Sequence, residues 1–313
     1  MIIWMIPAVL ILLLLLSMYY LYCQIFCYPL KKRPEVHQIP ESNLYKAYKD
    51  RMTESIQEME KTPCENVSIV SVDGCRLCGK LYRAGEKSPL MLFFHGYHGM
   101  AAWDGYGIFK ICRENGFSVL MVDERAHGNS EGSAITFGIK ERYDCKLWTE
   151  YAVKLLGEET DIFLAGVSMG AASVMMASQL ELPGNVKGIV ADCGYSSPAA
   201  IIKETIRIMK FPVEPVYWFV RLSARLFGRF DLEEASPLKA MKKLEIPILF
   251  IHGTKDSVVP LSMAEELYEN CVAKKERVWI EGADHANSAL TDYETYKEAV
   301  QEFLKQNSSK VSQ

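Results

Sequence analysis

The rhythm of apolar and polar residues changes three times along the chain. Residues 2 to 22, IIWMIPAVLILLLLLSMYYLY, carry no charge and show no polar face. At about 1.5 Å per residue, a helix of this length matches a hydrocarbon layer of roughly 30 Å. Trp4 and the tyrosines at 19, 20 and 22 suit the two interfaces, and Lys31, Lys32 and Arg33 follow. No basic leading region or small-residue cleavage site of a secretory signal is visible. The pattern predicts a single membrane-spanning helix, and the positive-inside rule puts the rest of the chain in the cytoplasm. Cys23 and Cys27 stand at the expected membrane edge, where S-acylation is chemically accessible.

Residues 41 to 62 are charged but place Leu44, Tyr48, Met52, Ile56 and Met59 at helical spacing, with Pro63 as the stop. This predicts an amphipathic helix packed on the following domain or on the membrane surface. Beyond it the period shortens. VSIVSV and RLCGKLYR flank Asp73-Gly74 and read as an antiparallel hairpin. Apolar runs follow at 90 to 94, 117 to 122, 162 to 165, 186 to 191, 248 to 251 and 277 to 280, separated by helical segments. Runs of Val, Ile, Leu and Phe without alternation indicate strands buried on both faces, hence an α/β fold with a mostly parallel central sheet. The expected organisation is an anchor at 1–30, a linker at 31–64, an α/β domain at 65–306 with a helical insertion at about 196–240, and a tail at 307–313.

Composition removes alternatives. Hydrophobic residues make up 49% and charged residues 24%, with a net charge of −4 and no basic-aromatic stripe, so nucleic acid is not an expected partner. The nine cysteines are odd in number and scattered, which reads as reduced thiols. Cys75 and Cys78 have C-x-x-C spacing, but strand residues three apart point to opposite faces, which speaks against a metal or redox pair. With neither clustered ligands nor a phosphate loop, no metal or organic cofactor is expected.

The chemistry concentrates where strands end. In an open parallel sheet, ligands bind beyond the carboxyl ends of the strands, and His95, Asp123, Ser168, Asp192, Asp256 and His285 all follow such ends. Ser168 lies in GVSMG, between an apolar strand and a run of small residues that suits a closely packed helix. A serine hydroxyl becomes nucleophilic only when a base takes its proton and donors hold the resulting oxyanion. A sharp strand-to-helix turn exposes the serine, Gly166 and Gly170 permit close backbone approach, and the Met169 amide at the helix start is an oxyanion donor. Among six histidines, His285 follows the last strand and reaches the same sheet edge, so it is the expected base. Asp256 follows the penultimate strand and is the expected orienting carboxylate; Asp192 is its rival, and Asp284 is expected to shape the His285 loop.

The motifs HGYHG (95 to 99), DERAHGNSEG (123 to 132), GVSMG (166 to 170), HGTKDSVVP (252 to 260) and ADH (283 to 285) resemble those of the α/β-hydrolases. In particular the chain is similar to serine aminopeptidase-like and acyl-esterase-like bacterial hydrolases, over about residues 65 to 306. The resemblance implies a second oxyanion donor in the Tyr97 amide and structural roles for Asp123 and Arg125. His98 departs from the pattern, as a substrate contact or as a solvated loop residue, and Ala126 stands where many relatives have glycine. The insertion is expected either to pack as cap core or to form an apolar acyl pocket, with Met209, Phe211 and Trp218 as substrate contacts. The expectation for the whole is a membrane-anchored serine hydrolase acting on a small-molecule acyl substrate, an ester or related compound, through an acyl-enzyme. A peptidase or amidase is the alternative, and would need an acidic pocket for a free amine, with Glu204, Glu214, Glu233 and Glu234 as candidates. A non-catalytic binding protein on the same fold is a third reading, opposed by Ser, Asp and His occurring in order.

Overall fold

The Asp73-Gly74 turn closes the first hairpin, with Gly74 at φ 85°, a conformation glycine adopts without a Cβ penalty. Strand β1 (Glu65–Val70) pairs antiparallel with β2 (Arg76–Tyr82) from Glu65 opposite Leu81 to Val70 opposite Arg76. The apolar runs downstream become β3 (Leu90–Phe94), β4 (Ser118–Val122), β5 (Ile162–Val167), β6 (Val186–Asp192), β7 (Ile248–Gly253) and β8 (Lys275–Ile280). They form one eight-stranded sheet in the order β1-β2-β4-β3-β5-β6-β7-β8. Only the pairings of β2 with β1 and β4 are antiparallel; all others are parallel. This computed structural model describes the backbone of residues 2–41 and 43–309. Side chains of residues 1–6, 8, 42, 43 and 310–313 lie outside the described set, and Trp4, expected at an interface, is among them.

Burial follows from the composition of the strands. Every residue of β3, β4, β5 and β7 is buried, as parallel strands covered by helices on both faces must be. One core lies on the face of helices Glu141–Leu156 and Met169–Ala177, with Trp148, Phe94 and Phe250 in it. The other lies beneath Tyr106–Glu114 and Tyr293–Asn307, around Phe93, Phe109, Phe163 and Phe303.

The segment before the domain is part of it. Helix Lys49–Lys61 buries Met52, Ile56 and Met59, and Met52 and Ile56 share a cluster with Trp103 and Leu290. Arg51 donates to the Leu290 carbonyl at 2.8 Å and Trp103 Nε1 to the Val36 carbonyl at 2.6 Å. Of the two docking surfaces expected for this helix, the structure selects the domain.

The N-terminal helix, Ile2–Phe26, runs four residues past Tyr22. Its window Val9–Phe26 has a mean hydropathy of 2.2, long and apolar enough to cross a membrane. Its last turns do not stop at a membrane edge. Tyr22 and Phe26 are buried, and the Phe26 ring packs edge-on against Phe137 and Phe230. Cys27 then bridges Ala134 in antiparallel fashion. The Arg33 guanidinium donates to the carbonyls of Gly128, Ser130 and Gly132 at 3.0, 2.6 and 2.8 Å. Charge-assisted bonds of this kind are the stronger ones, so a residue expected to mark membrane orientation also pins a loop at the sheet's carboxyl edge.

Between β6 and β7 the chain builds a cap: helices Pro198–Ile208 and Val213–Ser223, a π-helical turn Ala224–Gly228 and the short helix Pro237–Met241. Ser197 and Ser236 cap two of these by accepting from the amides of Ala200 and Lys239, each with proline at the first helical turn.

Candidate active site

Ser168 sits between β5 and the helix Met169–Ala177 at φ 54°, ψ −112°, a strained conformation that costs on the order of 1–3 kcal/mol. Close packing holds it there. A Cβ at Gly170 would lie 2.1 Å from the Phe94 carbonyl oxygen, and one at Gly166 would lie 2.3 Å from the Gly170 carbonyl carbon. Only glycine fits at either position. The Ser168 amide donates to the Asp192 carbonyl of the neighbouring strand at 2.8 Å, which clamps the turn.

The side chains of Ser168, His285 and Asp256 form one chain of hydrogen bonds. His285 Nε2 lies 2.9 Å from Ser168 Oγ, and His285 Nδ1 lies 2.8 Å from Asp256 Oδ2. A carboxylate only accepts, so Nδ1 carries the proton and Nε2 is free to accept the serine proton. The loop that bears His285 is tied to the β7 loop by Asp284, whose Oδ1 accepts from the amide and hydroxyl of Ser257 and from the His285 amide.

Asp256 is the centre of a wider network. Its Oδ1 accepts from the amides of Val258 and Val259 at 2.9 and 2.7 Å. A second imidazole, His252, reaches Oδ2 at 3.3 Å while its Nε2 also lies 2.9 Å from the Val259 carbonyl. Burial favours the neutral carboxyl, but the two imidazoles outweigh it and hold Asp256 well below the usual carboxylate range. For His252, burial disfavours the cation, yet the Asp256 carboxylate raises its pKa. Asp192, the rival acid, instead accepts from Ser288 Oγ at 2.9 Å, and burial pushes it up to about 7.

The loop after β3 approaches the serine from the other side: a Cβ on Gly96 would come 3.5 Å from Ser168 Cβ. Its amides are nearly all engaged. Gly96 N–H donates to Asp104 Oδ2 at 2.7 Å, His98 N–H to His127 Nε2 at 3.1 Å and Gly99 N–H to the Gly96 carbonyl at 3.0 Å. Among the described residues the Tyr97 amide has no partner, and the Met169 amide opens a helix, where no intrahelical acceptor exists. Two such amides beside the serine suit an anion. His95 and His127 are buried braces: His95 Nε2 accepts from the Glu124 amide, and His127 Nδ1 pairs with the Arg125 carbonyl. Arg125 is clasped by Asp144 and Asp73.

His98 stacks between the rings of Tyr28 and Tyr97, with centroids 4.1 and 3.9 Å away, so the chain just past the N-terminal helix supports this loop. Tyr97 OH extends the contact by donating to the Ile25 carbonyl at 2.9 Å. The three expected substrate contacts of the cap lie elsewhere. Met209, Phe211 and Trp218 are 60%, 54% and 58% exposed: Met209 and Phe211 lie in the turn between the two helices, and Trp218 falls on the outward side of Val213–Ser223, whereas Ile201, Tyr217 and Val220 are buried. Those buried residues share one cluster with Met169 and Val259, next to the serine and Asp256. Cys193 Sγ comes within 4.8 Å of the ligand atoms of Asp256 and His285, but burial holds its pKa well above the ordinary value, so it stays a protonated thiol.

Sequence reasoning missed Asp104 and His252 as partners of the site. Asp104 lies inside AAWDGYG without a recognisable motif, and nothing in the chain order shows that it will meet Gly96. His252 opens the motif HGTKDSVVP, yet its bond to Asp256 depends on a loop doubling back.

The model of the family described as serine aminopeptidase, S33, matches residues 85–240. The uncharacterized protein YqkD of Bacillus subtilis (strain 168) is 29% identical over 259 residues, covering 80% of this chain and 81% of that protein. YfhR of Escherichia coli (strain K12), also uncharacterized, is 23% identical and covers 77% and 80%. Among solved structures, the Pyrococcus furiosus esterase Pf2001 superposes with a TM-score of 0.63 at 25% identity, over 80% of this chain and 94% of that one. Est1E from Butyrivibrio proteoclasticus, bound to ferulic acid, gives 0.60 at 24% identity over 77% and 98%. Sheet order, serine turn and these likenesses together give the chain the α/β-hydrolase fold.

Proposed function

We propose that the protein is a membrane-anchored serine hydrolase that cleaves carboxylic esters or related acyl bonds through an acyl-enzyme. The observation that carries this reading is the unbroken Ser168–His285–Asp256 relay. In this mechanism His285 Nε2 takes the Ser168 proton as Oγ attacks the acyl carbon. The Met169 and Tyr97 amides hold the oxyanion, and Asp256 steadies the imidazolium. The imidazolium then protonates the leaving alkoxide, and water repeats the sequence to release the acid. The apolar N-terminal helix supports a membrane location, with Lys31 and Lys32 favouring a cytoplasmic domain.

The family description favours a peptidase as the second reading. Against it, the four carboxylates available for a substrate amine are already matched by cations. Glu204 pairs with Arg207, Glu214 with Lys203, Glu233 with Arg221 and Glu234 with Arg142.

A fluorophosphonate probe tests the activated serine: the parent should be labelled and Ser168→Ala should not. Equal labelling of both would refute the reading. A panel of acyl esters, thioesters and aminoacyl amides given to the full chain then ranks ester against amide.

A further inference from the structure

The cap is apolar on both faces. Its inner face packs on Met169, as described, but its outer face exposes Ile208, Met209, Phe211, Trp218 and Leu226, each more than half open to solvent. Scattered apolar side chains need no explanation, whereas a group within nineteen consecutive positions marks a contact surface.

Continuity and charge identify what covers it. The helix Val213–Ser223 and the turn after it pack beside the N-terminal helix. Tyr19 and Tyr22 meet Phe227, with ring centroids 5.2 and 5.9 Å apart, and further along Phe26 meets Phe230. The two segments therefore run in the same sense. Tracing both back from this contact leads to Trp218 and Phe211 on the cap and to Leu16 through Leu10 on the helix, themselves 41% to 60% exposed. Residues 198–241 also hold seven basic and five acidic side chains in a chain of net charge −4. Lys210 and Arg229 make no ion pair among the described residues. Exposed cations flanking apolar groups fit an anionic lipid interface.

We propose that the outer face of the cap lies in the headgroup region of the bilayer crossed by the N-terminal helix, so that the enzyme draws amphiphilic acyl esters from that leaflet. The surface assignment stands on geometry alone, while the substrate clause rests on the serine-hydrolase reading.

The test uses the full chain in vesicles of equal parts phosphatidylglycerol and phosphatidylcholine, the latter brominated near the headgroup. Bromine quenches tryptophan only at close approach, and the difference between parent and Trp218→Phe isolates Trp218 from the other four tryptophans. Quenching of the Trp218 emission by about twofold or more is expected for a side chain at the interface. Unquenched emission would assign the face to another protein and overturn the proposal. In the same vesicles, Ile208→Ser/Lys210→Glu/Leu226→Ser should hydrolyse a short soluble ester like the parent but lose about fivefold or more on a long-chain monoacyl ester. Equal rates on the lipid, or equal loss on both esters, would overturn the substrate clause. A parent inactive on both would sink the hydrolase reading instead, leaving the quenching result to decide the surface.

Discussion

Strands β6 and β7 are neighbours in the sheet, and a buried aspartate stands at or just beyond the end of each, yet the two carboxyls have opposite characters. Asp192 receives one side-chain hydroxyl and is pushed by burial to about 7. Asp256, its carboxylate fully buried, receives two amides and two imidazoles and is held far lower. Depth does not separate them; the number of donors folded around each does. In the proposed mechanism, only the permanent anion of the two steadies a histidine that becomes positive during turnover. The carboxyl at the adjacent strand end, raised by burial, serves as a hydrogen-bonded strut.

That contrast is open to direct attack. Asp256→Asn should lower kcat/KM on a short ester by about 10³ to 10⁴, since an amide no longer fixes the imidazole in the required tautomer. A loss below tenfold would break the comparison. Removing the second imidazole in His252→Leu should cost about tenfold and, because the carboxylate loses a donor, move the acid limb of the pH–rate profile upward. An unmoved limb would reduce His252 to a packing role. Asp192→Asn should leave turnover within about threefold of the parent and act on stability instead. Its folded pKa lies above the ordinary carboxyl value of 3.8, so the native state keeps a proton that the unfolded chain releases. Asp192 therefore contributes most stability below pH about 4 and loses that contribution as pH rises to about 7. The melting temperature of Asp192→Asn relative to the parent should rise across that window, as thermal unfolding at several pH values would show.

The strand ends were legible because a buried parallel strand needs an apolar run, and runs such as LMLFF and ILFI have no other comfortable place. Glycines flanking Ser168 were legible for a similar reason, since the turn admits no Cβ. The order serine, aspartate, histidine along the chain, each just past a strand end, named the three side chains that the hydrogen bonds join. Less of the rest was open to reading. The insertion announces its apolar residues but not which of them meet the serine, and Met209, Phe211 and Trp218, expected as substrate contacts, lie outside. Contacts such as Asp104 with Gly96 depend on loop closure across the fold, which no local period encodes. The uncharged stretch at the start is long and apolar enough to cross a membrane, and carries no sign that Tyr22 and Phe26 will enter the domain core.

Arg33 deserves its last word through what it would leave behind. Cutting the chain at Pro34 strips a cation from the loop carbonyls of Gly128, Ser130 and Gly132 and, with it, the Tyr28 ring from beneath His98 and the acceptor from the Tyr97 hydroxyl. Such a shortened protein would not be the same catalyst set free in solution. Under the membrane-anchored reading proposed above, attachment and architecture share the same few residues, so release from a bilayer by proteolysis would also loosen the rim around Ser168.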